Sequence, residues 1–282
     1  MDSHLGLTST AHIVHDLTFP EAGKRRRLSR LADSDGRFSM LAVDQRTSLK
    51  KMLGEGLDTA GQSQALQLVK RVVASHIAPQ ATALLLDPIY GYPHALESMP
   101  AGVGLILAVE VSGYERVGGV ERRSHLLDDF AVSDAVTAGA DAVKLLIWHH
   151  PDVSEETGRH QRAIVRSVGE ECRAAGVPFI LEIVTYGLGE STSSPEYLRQ
   201  KPAFVLDGVR TYSDPEYGVD LFKVQFPADL KHADAFQDAR FAAGTVLFTM
   251  EEVEASCREI DRAASAPWVI LSAGVEDRKS VV

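Results

Sequence analysis

The chain has 282 residues, 45% of them hydrophobic, and its 29 Lys+Arg against 39 Asp+Glu leave a net charge of −10. That length and apolar content suit one large α/β domain or two modest ones and exclude intrinsic disorder, while the acidic balance lacks the electrostatic footprint of a nucleic-acid binder. No run reaches the ~18 apolar residues of a membrane span, and the N-terminal MDSHLGLTSTAHIVHDLTFPEAG lacks the order of a secretory signal, so a cytoplasmic protein with no membrane partner is expected.

Residues 1–35 read as an N-terminal helical extension, in which the KRRR run (24–27) followed by LSRLA at helical spacing gives a solvated helix face. From Gly36 onward one pattern recurs: a short apolar run, a polar loop, then an amphipathic segment, which is the grammar of βα units. The predicted strands are Phe38–Asp44, Ala81–Asp87, Val103–Glu110, Ala140–Trp148, Pro178–Val184, Val219–Phe226 and Trp268–Ala273. Their nearly continuous apolar character requires cover on both faces and favours a parallel sheet.

Between them, Gly61–Ala78 is a predicted helix with Ala65, Leu68, Val69, Val72 and Val73 on its buried stripe. Ser154 with Glu155 and Glu156 marks a helix start, and Ile164, Val168, Cys172 and Ala175 follow at helical spacing. Thr249 and Glu252 form a capping box ahead of Val253, Cys257 and Ile260. Cys172 and Cys257 lie far apart in helical segments, which supports neither a disulfide framework nor a cysteine-based zinc site. No G-x-G-x-x-G follows the first strand and no P-loop occurs, so a (β/α)8 TIM barrel is favoured over a doubly wound sheet. At about 31 residues per unit, only Gly274–Val282 remain after the seventh strand. The expectation is one barrel domain, 36–282, incomplete at the C-terminus and truncated after strand 7.

Ionisable residues interrupt or close these apolar runs: Asp44, Asp87, Glu110, Lys144, Glu182 and Lys223, with Ser272 closing the last. Alternation along the sixth run puts Lys223 and Gln225 on one face and Phe222, Val224 and Phe226 on the other. The polar face suits the barrel axis. A lysine among apolar strands is costly to ionise, and a second ammonium nearby lowers its pKa further. Lys144, Lys223 and Glu182 would then suit Schiff-base chemistry, with one amine attacking a carbonyl and the carboxylate relaying protons. A structural reading stands beside it, with Lys144–Glu182 a buried ion pair and Lys223 reaching the rim.

The strings GRFSMLAVDQRTSLKKML (36–53), LLLDPIYGYP (84–93), VSGYE (111–115), DAVKLLIW (141–148), PFILEI (178–183), SDPEYGVDLFKVQFP (213–227) and PWVILSAGV (267–275) resemble the class I tagatose 1,6-bisphosphate aldolase family. The resemblance runs in order from Gly36 to Val275, and the combination of DQR, DPxYG and FKVQFP is far more specific than any one piece. It implies a metal-independent, cofactor-free aldolase that cleaves a ketohexose bisphosphate to dihydroxyacetone phosphate and glyceraldehyde 3-phosphate.

Carried over by position, the resemblance implies that Lys223 forms the Schiff base, Glu182 shuttles protons, Lys144 is a second active-site amine and Asp44 contacts a substrate hydroxyl. Gln45 and Arg46 open the loop behind Asp44, with Arg46 a candidate for anion contact. Ser272 and Gly274 fall where a hydroxyl and backbone N–H groups hold a phosphate. Two departures stand out: the family's eighth strand with its glycine-arginine pair has no counterpart, and His149-His150 follow LLIW where aromatic residues are expected. Adjacent strand residues point oppositely, so these histidines do not share a metal and receive no role.

Two other functions compete. Aldolases acting on 6-deoxy-6-sulfofructose 1-phosphate share look-alike LAVDQR, LKLL and PWVILS strings, although DPIYGYP and VSGYE favour the tagatose type. An inactive truncated barrel or phosphosugar-binding protein is the alternative of a different class, and the open edges of a short barrel would favour a homo-oligomer. The preference between C4 epimers is not fixed by any of these residues.

Overall fold

A computed structural model describes residues 18–53, 58–239 and 242–271. After helix α1 (Phe19–Arg30) comes β1 (Met40–Ala42), then helices α2 (Thr47–Met52) and α3 (Thr59–His76). β2 (Ala83–Leu86), the short α4 (Tyr92–Ala95) and β3 (Gly104–Ala108) follow, and then a hairpin of β4 (Glu115–Val117) and β5 (Glu121–Arg123). Next come α5 (Val132–Thr137), β6 (Ala142–His149), α6 (Glu155–Ala175), β7 (Phe179–Thr185), α7 (Pro195–Tyr212), β8 (Leu221–Gln225), α8 (Met250–Ala263) and β9 (Trp268–Leu271).

All seven expected strands are present within a few residues of their expected bounds. They form one parallel sheet in the order β1-β2-β3-β6-β7-β8-β9. The sheet curls. β1 and β6 are three strand spacings apart, about 14 Å on a flat sheet, yet Asp44 just beyond β1 and Lys144 on β6 touch at 2.7 Å. This is the α/β architecture of a (β/α) barrel, with seven parallel strands among the described residues.

Alternation divides the core in two. Leu84, Leu86, Leu107, Val143, Leu145, Leu181, Phe222 and Val224 pack outward with the helices. Ala83, Leu85, Ile106, Ala108, Ala142, Ile180 and Leu221 pack on the concave side with Leu31. Leu31 and α1 close the end of the sheet where the strands begin. Gly104 permits this, because a Cβ there would lie 2.8 Å from a methyl of Leu31.

The KRRR run is only half solvated. Arg25 and Arg26 are exposed, but Lys24 pairs with Asp220 at 2.6 Å and Arg27 donates to the Gly176 carbonyl at 2.5 Å. Asp220 also accepts the Phe179 N–H, and Asp141, paired with Arg30, accepts the Leu105 N–H. Each of these carboxylates thus ties a strand start to α1.

The expected start signals hold: Ser154 caps α6, and Thr249 and Glu252 form the capping box of α8. The stripe on α3 is corrected. Its buried residues are Leu66, Lys70 and Ala74, whereas Leu68 is 51% and Val72 45% exposed. The helix is rotated because Lys70 is drawn inward by a buried partner described below. The two cysteines are free, and burial pushes the Cys172 thiol up to about 12.

Candidate active site

The concave side of the sheet carries a cluster of charge above its apolar floor. Asp44 follows Met40 and Ala42, Glu110 follows Ile106 and Ala108, Lys144 follows Ala142, Glu182 follows Ile180 and Lys223 follows Leu221, in each case continuing the inward-facing parity. Register completes the alignment, since Glu182 lies beside Lys223 across the β7–β8 ladder. Five groups, on or just beyond five different strands, therefore meet on the concave side of the curled sheet.

Lys144 is the hub. Its Nζ donates to Asp44 Oδ2 and to Glu110 Oε1, both at 2.7 Å, and contacts Glu182 Oε2 at 2.8 Å. Glu182 Oε2 also accepts from Lys223 Nζ at 2.9 Å. The side chain of Lys144 is 1% exposed and that of Lys223 14%. An ammonium has three N–H donors, and around Lys144 three carboxylates match them in number.

Burial opposes charge on Lys144, but Asp44, Glu110 and Glu182 together outweigh it and hold this amine well above the ordinary lysine range. The expectation that burial would depress the pKa of this lysine is thus overturned, because the sequence pattern did not reveal how many acids surround it. Asp44 shows the reciprocal effect: burial favours its acid form, yet Lys144 and Lys223 bring it down to about 2. Burial raises Glu110 despite Lys144, and the neighbouring Asp44 and Glu182 add to the rise. Glu110 joins the lysine cluster as a site member beyond those expected; its signal was its place at the end of the third apolar run.

The other expected residues divide. Arg46 is buried and donates to the Glu110 backbone carbonyl, so it braces the loop behind β1. The Gln45 side chain is exposed, and its backbone carbonyl accepts from Lys70 Nζ at 2.9 Å. Ser272 and Gly274 lie outside the described residues. His149 and His150 are both buried near α7: His149 Nε2 contacts Asp207 Oδ2 at 2.8 Å, and the His150 ring lies 4.4 Å from that of Phe204. Burial lowers the His150 pKa, and the hydrogen bond with His149 lowers that of Asp207. His149 and Asp207 also line a cavity of about 140 Å³ bounded by α6 and α7. Among the described residues, no group of three His, Cys, Asp or Glu is arranged to hold a metal ion.

A second buried lysine supports the site from behind. Lys70 on α3 pairs with Asp87 at 2.6 Å, both side chains fully buried, and also donates to the carbonyls of Val43 and Gln45 on either side of Asp44. Burial lowers its pKa, with Asp87 opposing that shift. Asp87 Oδ1 accepts the N–H groups of Ile89 and Tyr90, and a Cβ at Gly91 would lie 2.8 Å from the Asp87 carbonyl. The DPIYG string therefore spells a tight turn that anchors α3 to the site.

Comparison with known proteins agrees with this geometry. Residues 38–282 match the family described as DeoC/LacD family aldolase. The tagatose 1,6-diphosphate aldolase of Lactococcus lactis subsp. lactis is 34% identical over 253 residues, covering 89% of this chain and 76% of that protein. The enzyme of the same name from Streptococcus pneumoniae is 35% identical with the same coverage. The solved fructose-bisphosphate aldolase from Slackia heliotrinireducens superposes with a TM-score of 0.54 at 14% identity, over 90% of this chain and 80% of that one, and so shares the fold.

Proposed function

The chain belongs to the DeoC/LacD aldolase family and is a lyase by that membership, and from that premise we propose that it is a class I, Schiff-base aldolase acting on tagatose 1,6-bisphosphate or a related ketohexose bisphosphate. One observation carries the assignment of roles. Lys144 is fixed as a cation by three carboxylates and has no lone pair to offer, whereas Lys223 touches one carboxylate oxygen and is the more accessible amine.

In this mechanism Lys223 passes a proton to the Glu182 oxygen that it touches, the neutral amine attacks the substrate's C2 carbonyl, and a proton moves from the new ammonium to the oxygen to give a carbinolamine. Glu182 protonates the departing hydroxyl, water leaves, and the C2–nitrogen iminium forms. A carboxylate then accepts the C4 hydroxyl proton. The C3–C4 bond breaks, its electron pair moves into the enamine, and glyceraldehyde 3-phosphate departs. Protonation at C3 and addition of water release dihydroxyacetone phosphate and regenerate Lys223. Lys144 supplies positive charge beside the oxygen at C2, and Asp44, kept ionised by Lys144 and Lys223, orients a substrate hydroxyl.

Borohydride added with tagatose 1,6-bisphosphate is expected to trap a covalent adduct on the peptide containing Lys223, with none in Lys223→Met, while EDTA leaves turnover unchanged. An adduct on Lys144, or activity lost to EDTA, overturns the assignment. Turnover of 6-deoxy-6-sulfofructose 1-phosphate in place of the bisphosphate would reassign the substrate, and no turnover of either would favour a binding protein.

A further inference from the structure

The lysine cluster can hold the reacting carbons, but a bisphosphate ends in a second anion far from the ketone, and the described part of the cluster provides no seat for it. The hairpin β4–β5 provides a candidate. Gly118 and Gly119, with φ of 57° and 81°, make the turn between its strands, and the hairpin is secured over the C-terminal ends of β6 and β7. Trp148 Nε1 donates to the Gly113 carbonyl at 3.1 Å, and the Tyr186 hydroxyl accepts the Arg122 N–H at 3.1 Å.

This places the Arg122 guanidinium 4.4 Å from the centroid of Tyr114, 4.6 Å from that of Trp148 and 4.7 Å from that of Tyr186. Trp148 shares the inward parity of Lys144 and stands four residues further along β6, about 13 Å at the usual strand rise. The three arginines of the hairpin differ. Arg116 donates to the Gly119 carbonyl, and Arg123 is bound to Thr157 and Glu156. The Arg122 guanidinium has no oxygen partner among the described residues. The three rings surround the Arg122 guanidinium carbon without supplying an acceptor oxygen to its N–H donors, and that planar fork matches a phosphate.

We propose that Arg122 is the anchor for the substrate's distal phosphate, the group at the end of the sugar remote from the ketone. The proposal rests on the aldolase reading above. Holding that end fixes the chain over Lys223, so the hairpin acts as a specificity element of the site.

Arg122→Ala is expected to lower kcat/KM about fiftyfold on the ketohexose 1,6-bisphosphate and less than about threefold on the matching ketohexose 1-phosphate. Arg122→Lys, which keeps the charge without the fork, should fall between. Equal losses on both substrates would mean that the hairpin was merely damaged, and would overturn the proposal. A second measurement does not depend on turnover: inorganic phosphate titrated against the tryptophan fluorescence, of which Trp148 is one of two emitters. A response in the wild type that Arg122→Ala abolishes supports the assignment even if neither sugar is cleaved. A response absent from the wild type, or unchanged in the variant, refutes it.

Discussion

Two buried lysines lie behind and within the same curled sheet, and their surroundings differ in one respect. Lys70 meets a single carboxylate, Asp87, and two neutral backbone carbonyls, so its charge is balanced and every partner belongs to the scaffold. Lys144 meets three carboxylates, one of which it shares with Lys223. The first set is closed, since one carboxylate and two backbone carbonyls take up the three N–H donors of the ammonium and no second amine shares them. The second carries three carboxylates against the one charge of Lys144 and places a second amine beside the shared oxygen, which is the arrangement that proton transfer requires. Burial of a lysine is therefore poor evidence of function; the number and identity of its acceptors carry the information.

Removing the hub charge should have the largest effect. Lys144→Met leaves Asp44, Glu110 and Glu182 facing one another, and the loss of a buried partner of this kind costs about 3–5 kcal/mol. Activity should fall at least about a thousandfold, as for groups that act as a unit. The stability deficit should shrink as pH is lowered from 7 to about 5, because Glu110, already raised by burial, takes up a proton and relieves the repulsion. Thermal melts across that range check this, and a deficit independent of pH would show that the three acids are not coupled through Lys144.

The closed pair should behave differently. Lys70→Met alone strands Asp87 and should also destabilise by about 3–5 kcal/mol, but the double variant Lys70→Met with Asp87→Asn should recover most of the loss, since it removes the stranded charge and keeps the acceptor for the Ile89 and Tyr90 N–H groups. Denaturant midpoints of the two variants decide the point. Any activity lost in the double variant should appear as altered geometry at Asp44, whose flanking carbonyls Lys70 holds. No comparable rescue is expected for Lys144→Met, whichever single acid is removed with it.

The same contrast explains what the sequence made legible. The seven parallel strands were readable because two-sided burial makes them apolar throughout, and Lys144, Glu182, Lys223 and Asp44 stood out as polar breaks in that pattern. Glu110 was visible at a strand end, but not its partner, because a contact between β3 and β6 depends on curl and register. Lys70 was hidden for the opposite reason. It sits on a helix whose apolar spacing points to a stripe through Leu68 and Val72, and only the buried Asp87 shows why the helix is rotated. The hairpin escaped because its strands, ERV and ERR, show no apolar alternation; its one local signal is Gly118-Gly119. Arg46 is legible as a loop arginine, but its backbone acceptor is not, because one amino group reaches the Glu110 carbonyl across a distance in sequence of 64 residues.

The smallest expected effect lies at the acid end of the stability profile, and its sign separates Asp44 from Glu110. Asp44 has a folded pKa of about 2 against an ordinary 3.8, so its contribution to stability is complete above the unfolded value and disappears as pH falls toward 2. Glu110 is shifted upward and works the other way: its charged form is penalised in the folded state, and acid relieves the penalty beginning above its ordinary 4.5. Lowering the pH from 6 to 4 should therefore cost the wild type little, and the decline should steepen between about pH 4 and pH 2. Asp44→Asn removes the group that titrates in the lower window and should flatten that limb, whereas Glu110→Gln should remove the compensation in the upper one. Urea midpoints measured at half-unit pH intervals distinguish the two, and identical acid limbs in wild type and Asp44→Asn would show that Asp44 is not held ionised by the two lysines.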